Sequence, residues 1–278
     1  MKQPIDTREL VTAYSNTANR LLLLDYDGTL APFNSNPAET APSNQVMEIL
    51  KALGVDNRNR VVLISGRGQK YLEKYFSDLP ITLVAEHGAY SKNPGEGWIG
   101  LYRPDISTDW MLAALKVLVN LVFEFQGSYL EQKSLSMAWH YRGLQKQLSE
   151  EEKSQVLNLI WFIRGNGDFE ILDSEETIEL RTSGINKGLY LKQWKQGLPF
   201  DFILAIGDSE TDEDLFRALD RHHYTIKVGH SIQTRARYSI NTQEDVLPLL
   251  NSLANHEVGS SVHTDKSFQG NISSHHGT

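Results

Sequence analysis

Asp25-Tyr26-Asp27-Gly28-Thr29 follows directly on the apolar run Leu21 to Leu24. Residues two apart on extended chain project to the same side, so Asp25 and Asp27 leave the carboxyl end of a strand together, and Gly28 permits a sharp exit. In open α/β sheets that edge is where ligands bind; the alternative is a polar turn after a strand. Three further groups occupy equivalent places. Ser65-Gly66-Arg67 follows Val61 to Ile64 and offers a hydroxyl and backbone N–H groups to an anion. Gly66 and Gly68 suggest a dinucleotide fingerprint, but Tyr71 stands where the third glycine belongs. Asn186-Lys187-Gly188 opens a helix and places one ammonium where a phosphate could be neutralised, unless it is a surface charge. Gly207-Asp208-Ser209-Glu210-Thr211-Asp212 follows Phe202 to Ile206, with Thr211 and Asp214 spaced as a capping box and Glu213 and Asp214 suited to pairing with a helix dipole.

The elements that must position these groups follow from hydrophobic periodicity. Leu21–Leu24, Val61–Ile64, Ile81–Ala85 and Phe202–Ile206 read as short strands buried on both faces. Between them lie stretches at helical spacing, such as Val46, Ile49, Leu50 and Leu53 behind a Ser43 start signal, the alternation of a parallel α/β sheet. From Ser91 to Thr182 the pattern changes to a helix over Thr108–Phe125, an extended stretch over Ser128–Tyr141, a helix over Ser149–Arg164 and two short strands around Phe169 and Ile178. The sequence thus predicts a discontinuous core, 1–90 and 183–255, with an α+β insertion over 91–182 and the loop Lys92–Gly100 as a hinge. Trp98, Tyr102 and the Thr108–Phe125 helix read as core of the insertion. The stretch 256–278, rich in Ser, Gly, His and Asn, reads as a disordered tail in which Asn271-Ile272-Ser273 is a chance glycosylation match.

Composition narrows the function. The 278 residues carry 27 Lys+Arg against 35 Asp+Glu, a net charge of −8 that does not suit nucleic-acid binding. With no cysteine there is no disulfide, thiolate catalysis or Cys-ligated zinc. Met1–Leu10 has no apolar run of signal-peptide length, and Trp110–Phe125 is too short to span a bilayer, so a cytoplasmic protein with no membrane partner is expected.

Four such motifs in this order resemble the haloacid dehalogenase superfamily of Mg²⁺-dependent phosphohydrolases. The resemblance implies an α/β, Rossmann-like parallel-sheet core with an inserted α+β cap. It implies that Asp25 is the nucleophile that becomes an aspartyl-phosphate and Asp27 the general acid and base. It also implies that Ser65 and Lys187 hold the phosphoryl group, and that Asp25, the Asp27 main-chain carbonyl and Asp208 ligate Mg²⁺, with Asp212 there or just outside. A phosphate dianion with Asp25, Asp208 and Asp212 brings five negative charges together against three positive from Mg²⁺ and Lys187. Hydroxyls and N–H groups, including Ser65, Thr29 and those around Gly66, must offset the rest. Repulsion between neighbouring carboxylates would favour a proton on Asp27.

Within that superfamily the chain is similar to the trehalose-6-phosphate phosphatases, including the phosphatase half of bifunctional proteins. The likeness is carried by Leu24–Leu30, Ala85-Glu86-His87-Gly88-Ala89, Glu131-Gln132-Lys133-Ser134, Ala138–Arg142, Ile178–Arg181, Asn186-Lys187-Gly188 and Thr211–Asp214. Ser209 departs from the second aspartate usual there, and Thr182 from a common proline. The resemblance implies that Glu131, Lys133 and Glu179 bind glucose hydroxyls, with Arg142 a further candidate. His87 is either a sugar contact or a structural histidine, and His140 orders the cap. Glu131 and Lys133 share a strand face, and a bend near Ser134 must separate that wet face from the dry one of Leu135, Met137 and Trp139. A trehalose-6-phosphate synthase is a possible partner. Alternatives are a phosphatase acting on sucrose-phosphate or mannosyl-phosphoglycerate, or a regulatory sugar-phosphate-binding domain without catalysis; the presence of Asp25, Asp27, Lys187 and Asp208 argues against the last.

Overall fold

The computed structural model describes residues 2–32, 41–164, 168–174, 176–193 and 199–255. The expected tail 256–278, with Asn271, lies outside them. The centre of the main sheet is β2 (Arg20–Leu24), with β3 (Asn59–Ile64) and β4 (Thr82–Ala85) on one side and β11 (Phe202–Gly207), β12 (Tyr224–Val228) and β13 (Tyr238–Ile240) on the other, all parallel. β1 (Gln3–Pro4) closes the β13 edge, and β5 (Tyr90–Lys92) and β6 (Ile99–Gly100) close the β4 edge antiparallel. Every residue of β2 is buried, and alternation divides its leucines between two cores. Leu22 and Leu24 face the layer of α1 (Thr7–Ser15), α2 (Asn44–Val55), α3 (Gln69–Phe76) and α7 (Val246–Ala254). Leu21 and Leu23 face α6 (Glu213–Ala218) and the 3-10 turn Lys187–Gln193. A leucine buried this way contributes about 1.5–3 kcal/mol, so the strand that carries Asp25 is among the best-anchored segments.

The inserted layer is a four-stranded antiparallel sheet in the order β7 (Tyr129–Gln132), β8 (Ser136–His140), β10 (Thr177–Thr182), β9 (Phe169–Ser174). Helices α4 (Trp110–Glu124) and α5 (Glu150–Arg164) cover one face through Leu118, Leu121, Met137, Trp139, Ile160 and Ile178. The bend expected near Ser134 is a hairpin turn, closed by the Lys133 N–H donating to the Ser136 carbonyl at 2.9 Å. It reverses the chain and sets Glu131, paired with Ala138, on the face opposite Met137 and Trp139.

Three expectations are corrected. Lys92–Gly100 is not a free hinge of the insertion: its two ends lie in β5 and β6, edge strands of the main sheet. Both Lys92 and Trp98 hydrogen-bond Glu73 of α3, at 2.5 and 3.1 Å. Trp98 accordingly packs on the main core, and Tyr102 joins Ala89, Leu135 and Ile185 at the junction. The capping box lies two residues earlier than its spacing suggests, between Ser209 and Asp212, because the chain first makes a 3-10 turn over Glu210–Asp212.

Candidate active site

Strand order runs β11-β2-β3-β4, so Asp208, Asp25 and Ser65, each just past a strand, meet at one sheet edge. The chain departs in opposite directions on either side of the β2/β11 boundary, which opens a crevice there. Asp25 stays registered beyond its strand through its N–H on the Ile206 carbonyl, 3.1 Å away. Lys187 enters from the 3-10 turn below and donates to Asp25 Oδ1 at 2.6 Å and Asp212 Oδ1 at 2.7 Å. Asp212 is wholly buried, and its Oδ2 accepts from the Ser209 N–H and Oγ, both at 2.9 Å. A side chain on Gly207 would meet the Asp212 carboxyl carbon at 2.1 Å, so the strand end must be glycine for that carboxylate to lie against it.

Oxygen atoms of Asp25, Asp208 and Asp212 all lie within 4.8 Å of one another. Burial pushes the Asp25 carboxyl well above the usual carboxylate range and Asp212 adds to the effect, with Lys187 opposing. Asp208 is raised by burial and then by Asp212. Lys187 is held above its ordinary value because the two carboxylates outweigh its burial. Three crowded carboxylates around one ammonium form an all-oxygen, anion-rich donor set that fits a hard divalent cation. The cluster could therefore hold a metal ion.

Asp27 is placed differently from the expected carboxylate pair. Its partner is Arg67, which donates from Nε to Oδ2 at 2.8 Å and from Nη2 to Oδ1 at 2.5 Å, while its side chain stays outside the three-carboxylate cluster. A guanidinium fork thus spans the carboxylate. Thr29 also differs: its hydroxyl donates to Asp208 Oδ1 at 3.1 Å, which orients that carboxylate rather than leaving the hydroxyl for an anion. Ser65 is buried with its Oγ accepting from the Arg67 N–H at 3.1 Å, and Gly66 backs onto the His87 ring, which a Cβ would meet at 2.5 Å.

Across the crevice the cap presents its polar face. Glu179 Oε1 accepts from Lys133 Nζ at 3.1 Å and Ser136 Oγ at 2.7 Å, and Glu131 lies 3.8 Å from the same ammonium. Glu131 also takes the Nε2 of His140, whose ring stacks on Tyr129. Burial opposes ionisation of Glu179, but Lys133 and then His87 hold it well below the usual range. Lys133 is held above its ordinary value against its burial by Glu179 and Glu131. His87 belongs to this group as well, its Nε2 3.0 Å from Glu179 Oε2, with burial lowering its pKa. An ionised carboxylate only accepts, so the imidazole Nε2–H is the donor of this bond. Arg142 does not join them; its guanidinium pairs with Glu176 at 2.5 Å.

Sequence reasoning missed three positions. From sequence, Arg67 reads only as part of an anion loop and Glu86 only as part of a motif. Lys227 was not singled out, although a lysine inside the apolar strand Tyr224–Val228 is itself a signal. Its buried ammonium donates to the main-chain carbonyls of Asp208 and, at 3.2 Å, Ser209, which fixes the loop that carries the acidic cluster.

The described residues include no helix long and apolar enough to cross a membrane. The chain is similar to alpha,alpha-trehalose-phosphate synthase (UDP-forming) B of Dictyostelium discoideum, 34% identical over 250 residues that cover 89% of this chain and 32% of that protein. It is 33% identical over 233 residues to the trehalose-phosphatase of Saccharomyces cerevisiae, which covers 76% of this chain and 26% of that one. The chain thus spans about a third or less of the length of these relatives. Among solved structures, the C-terminal domain of the C. albicans trehalose-6-phosphate phosphatase superposes with a TM-score of 0.83 at 29% identity, covering 91% of this chain and 99% of that one. The family described as trehalose-phosphatase matches residues 23–247, and the crevice between the Asp25 cluster and the Glu179 cluster lies within that span: the chain belongs to the trehalose-phosphatase family.

Proposed function

We propose that the chain hydrolyses trehalose 6-phosphate to trehalose and inorganic phosphate, with Mg²⁺ as its cofactor. The observation that carries this reading is a pair of polar walls that His87 joins through Gly66 and Glu179: Lys187 among Asp25, Asp208 and Asp212 on one, and Lys133 between Glu131 and Glu179 on the other. The first wall suits a phosphate and the second suits the hydroxyls of a sugar, for which charged groups supply directional hydrogen bonds. Asp25, Asp208 and the Asp27 main-chain carbonyl would hold Mg²⁺, with Asp212 alongside. When bound, the ion offsets the charge of the phosphate and of the carboxylates around it.

The Asp25 carboxylate attacks phosphorus, an Asp25 oxygen-to-phosphorus bond forms, and the bond from phosphorus to the sugar oxygen breaks. Asp27 enters the cycle protonated on one oxygen, with Arg67 then holding only the other; it gives that proton to the departing oxygen, then takes one from the water that cleaves the aspartyl-phosphate and restores Asp25. Lys187, the Ser65 hydroxyl and the N–H groups near Gly66 steady the phosphoryl oxygens. Glu131, Lys133 and Glu179 orient the disaccharide; Arg142 joins them only by leaving Glu176. A trehalose-6-phosphate synthase is the partner that would supply the substrate, a reading supported by the longer relatives.

Phosphate release across a panel decides it: trehalose 6-phosphate, sucrose phosphate, mannosyl-phosphoglycerate, glucose 6-phosphate and an aryl phosphate, each with and without chelator. Trehalose 6-phosphate is expected to be preferred about tenfold or more, and chelation to abolish turnover until Mg²⁺ is restored. A higher kcat/KM on another sugar phosphate overturns the substrate assignment.

A further inference from the structure

Glu86, in the turn after β4, plays no part in the chemistry above, yet that turn touches both walls. Glu86 and His87 both adopt left-handed backbone, with φ of 50° and 56°. Glycine or asparagine is the usual occupant of such positions and histidine is tolerated there, but a glutamate gains nothing from that backbone. Both side chains are buried. Toward the core, the Glu86 N–H donates to the Arg67 carbonyl and the His87 N–H to the Ser65 carbonyl, each at 3.0 Å. Toward the cap, Glu86 Oε2 accepts from the Ser134 N–H at 3.1 Å, the Ser134 hydroxyl at 2.6 Å and the Leu135 N–H at 3.4 Å.

Those three donors belong to the β7–β8 hairpin turn, which follows Glu131 and Gln132 of β7 and opens with Lys133. One oxygen that receives three donors is work for an anionic carboxylate. We propose that Glu86 is a specificity-positioning residue: its carboxylate fixes the Ser134–Leu135 turn above the Ser65–Arg67 loop, which sets the distance between the sugar-binding wall and the phosphate-binding wall. The inference rests on the reading of the substrate as trehalose 6-phosphate. A small aryl phosphate does not reach the cap and has no use for that spacing, whereas a disaccharide phosphate is held at both ends and needs it.

The test compares Glu86→Gln and Glu86→Gly with the wild type on trehalose 6-phosphate and on an aryl phosphate. Glu86→Gly keeps the left-handed backbone and the N–H on Arg67 while it removes the side chain. For Glu86→Gly, kcat/KM on trehalose 6-phosphate is expected to fall about ten- to a hundredfold, chiefly through KM. Glu86→Gln should fall between, and the ratio of sugar to aryl activity should drop by nearly the whole amount. Adding Ser134→Ala to Glu86→Gly should cost little more in the sugar-to-aryl ratio, because its closest partner, Glu86 at 2.6 Å, is already gone. Equal losses on both substrates, or an unchanged ratio, would overturn the positioning role. A wild type that prefers another sugar phosphate overturns the trehalose assignment instead, and the same ratio with that sugar phosphate then decides the role of Glu86.

Discussion

Arg67 holds both oxygens of Asp27 while its guanidinium lies over the Tyr71 ring, 4.4 Å from the centroid. Lysine can reach a carboxylate as a point charge but cannot grip two oxygens and stack at once. Arg67→Lys should therefore leave Asp27 present and poorly aimed. We expect kcat to fall about ten- to a hundredfold on sugar and aryl phosphates alike, with KM for the aryl phosphate nearly unchanged. Steady-state kinetics check this; a wild-type kcat would mean that Asp27 is aimed by something else.

Replacement of the nucleophile should separate chemistry from folding. Asp25→Asn is expected to lower turnover about a thousandfold or more. It also removes one of three crowded carboxylates while Lys187 keeps Asp212 at 2.7 Å, so the melting temperature should hold or rise. Calorimetry alongside single-turnover assays tests both halves; appreciable residual activity would refute the assignment.

The two cap glutamates should differ in kind. Glu131 is half exposed, and Glu131→Ala should cut kcat/KM for trehalose 6-phosphate about ten- to a hundredfold more than for an aryl phosphate. Glu179 is the closest partner of buried Lys133 and also binds His87 and Ser136. Glu179→Ala strands that ammonium, so it should cost about 3–5 kcal/mol of stability as well. Urea titration of the two variants distinguishes them, and equal stability would show that Lys133 finds another partner.

His87 makes folding sensitive to mild acid. Burial depresses its pKa, Glu179 acts against this, and Arg181 and Lys133 add to the depression. The unfolded chain then binds a proton near pH 6.5 while the folded chain resists it, so this stability is complete above that pH and is lost as pH falls toward the folded value. Between pH 7.5 and 5 the wild type should lose more thermal stability than His87→Asn, a residue that tolerates the left-handed backbone. Parallel melting curves across that range would expose the idea as wrong.

The amino-acid sequence by itself determined the parallel sheet and the edge where chemistry gathers. Leu21–Leu24, Val61–Ile64 and Phe202–Ile206 are apolar enough to be buried on both faces, and the polar motifs that follow them must then emerge together. Hydrophobic period also marked the inserted layer and the reversal near Ser134. It could not assign 91–100, because two short strands at a sheet edge bury few residues and leave little periodic trace.

Tertiary structure alone decided who partners whom. Arg67 with Asp27, Thr29 with Asp208, Glu86 with Ser134 and His87 with Glu179 join residues 40 to 179 positions apart. A side chain's type gives its charge and donors, but which opposite charge it finds depends on how strands and cap are stacked. Local propensity carries no information about that distance. Arg142 illustrates the limit: its motif places it with the sugar residues, whereas the turn between β9 and β10 brings Glu176 to it first. Packing, not spacing, selected the ion pair, because a charge near the edge of a buried layer takes the nearest compensating partner the fold supplies.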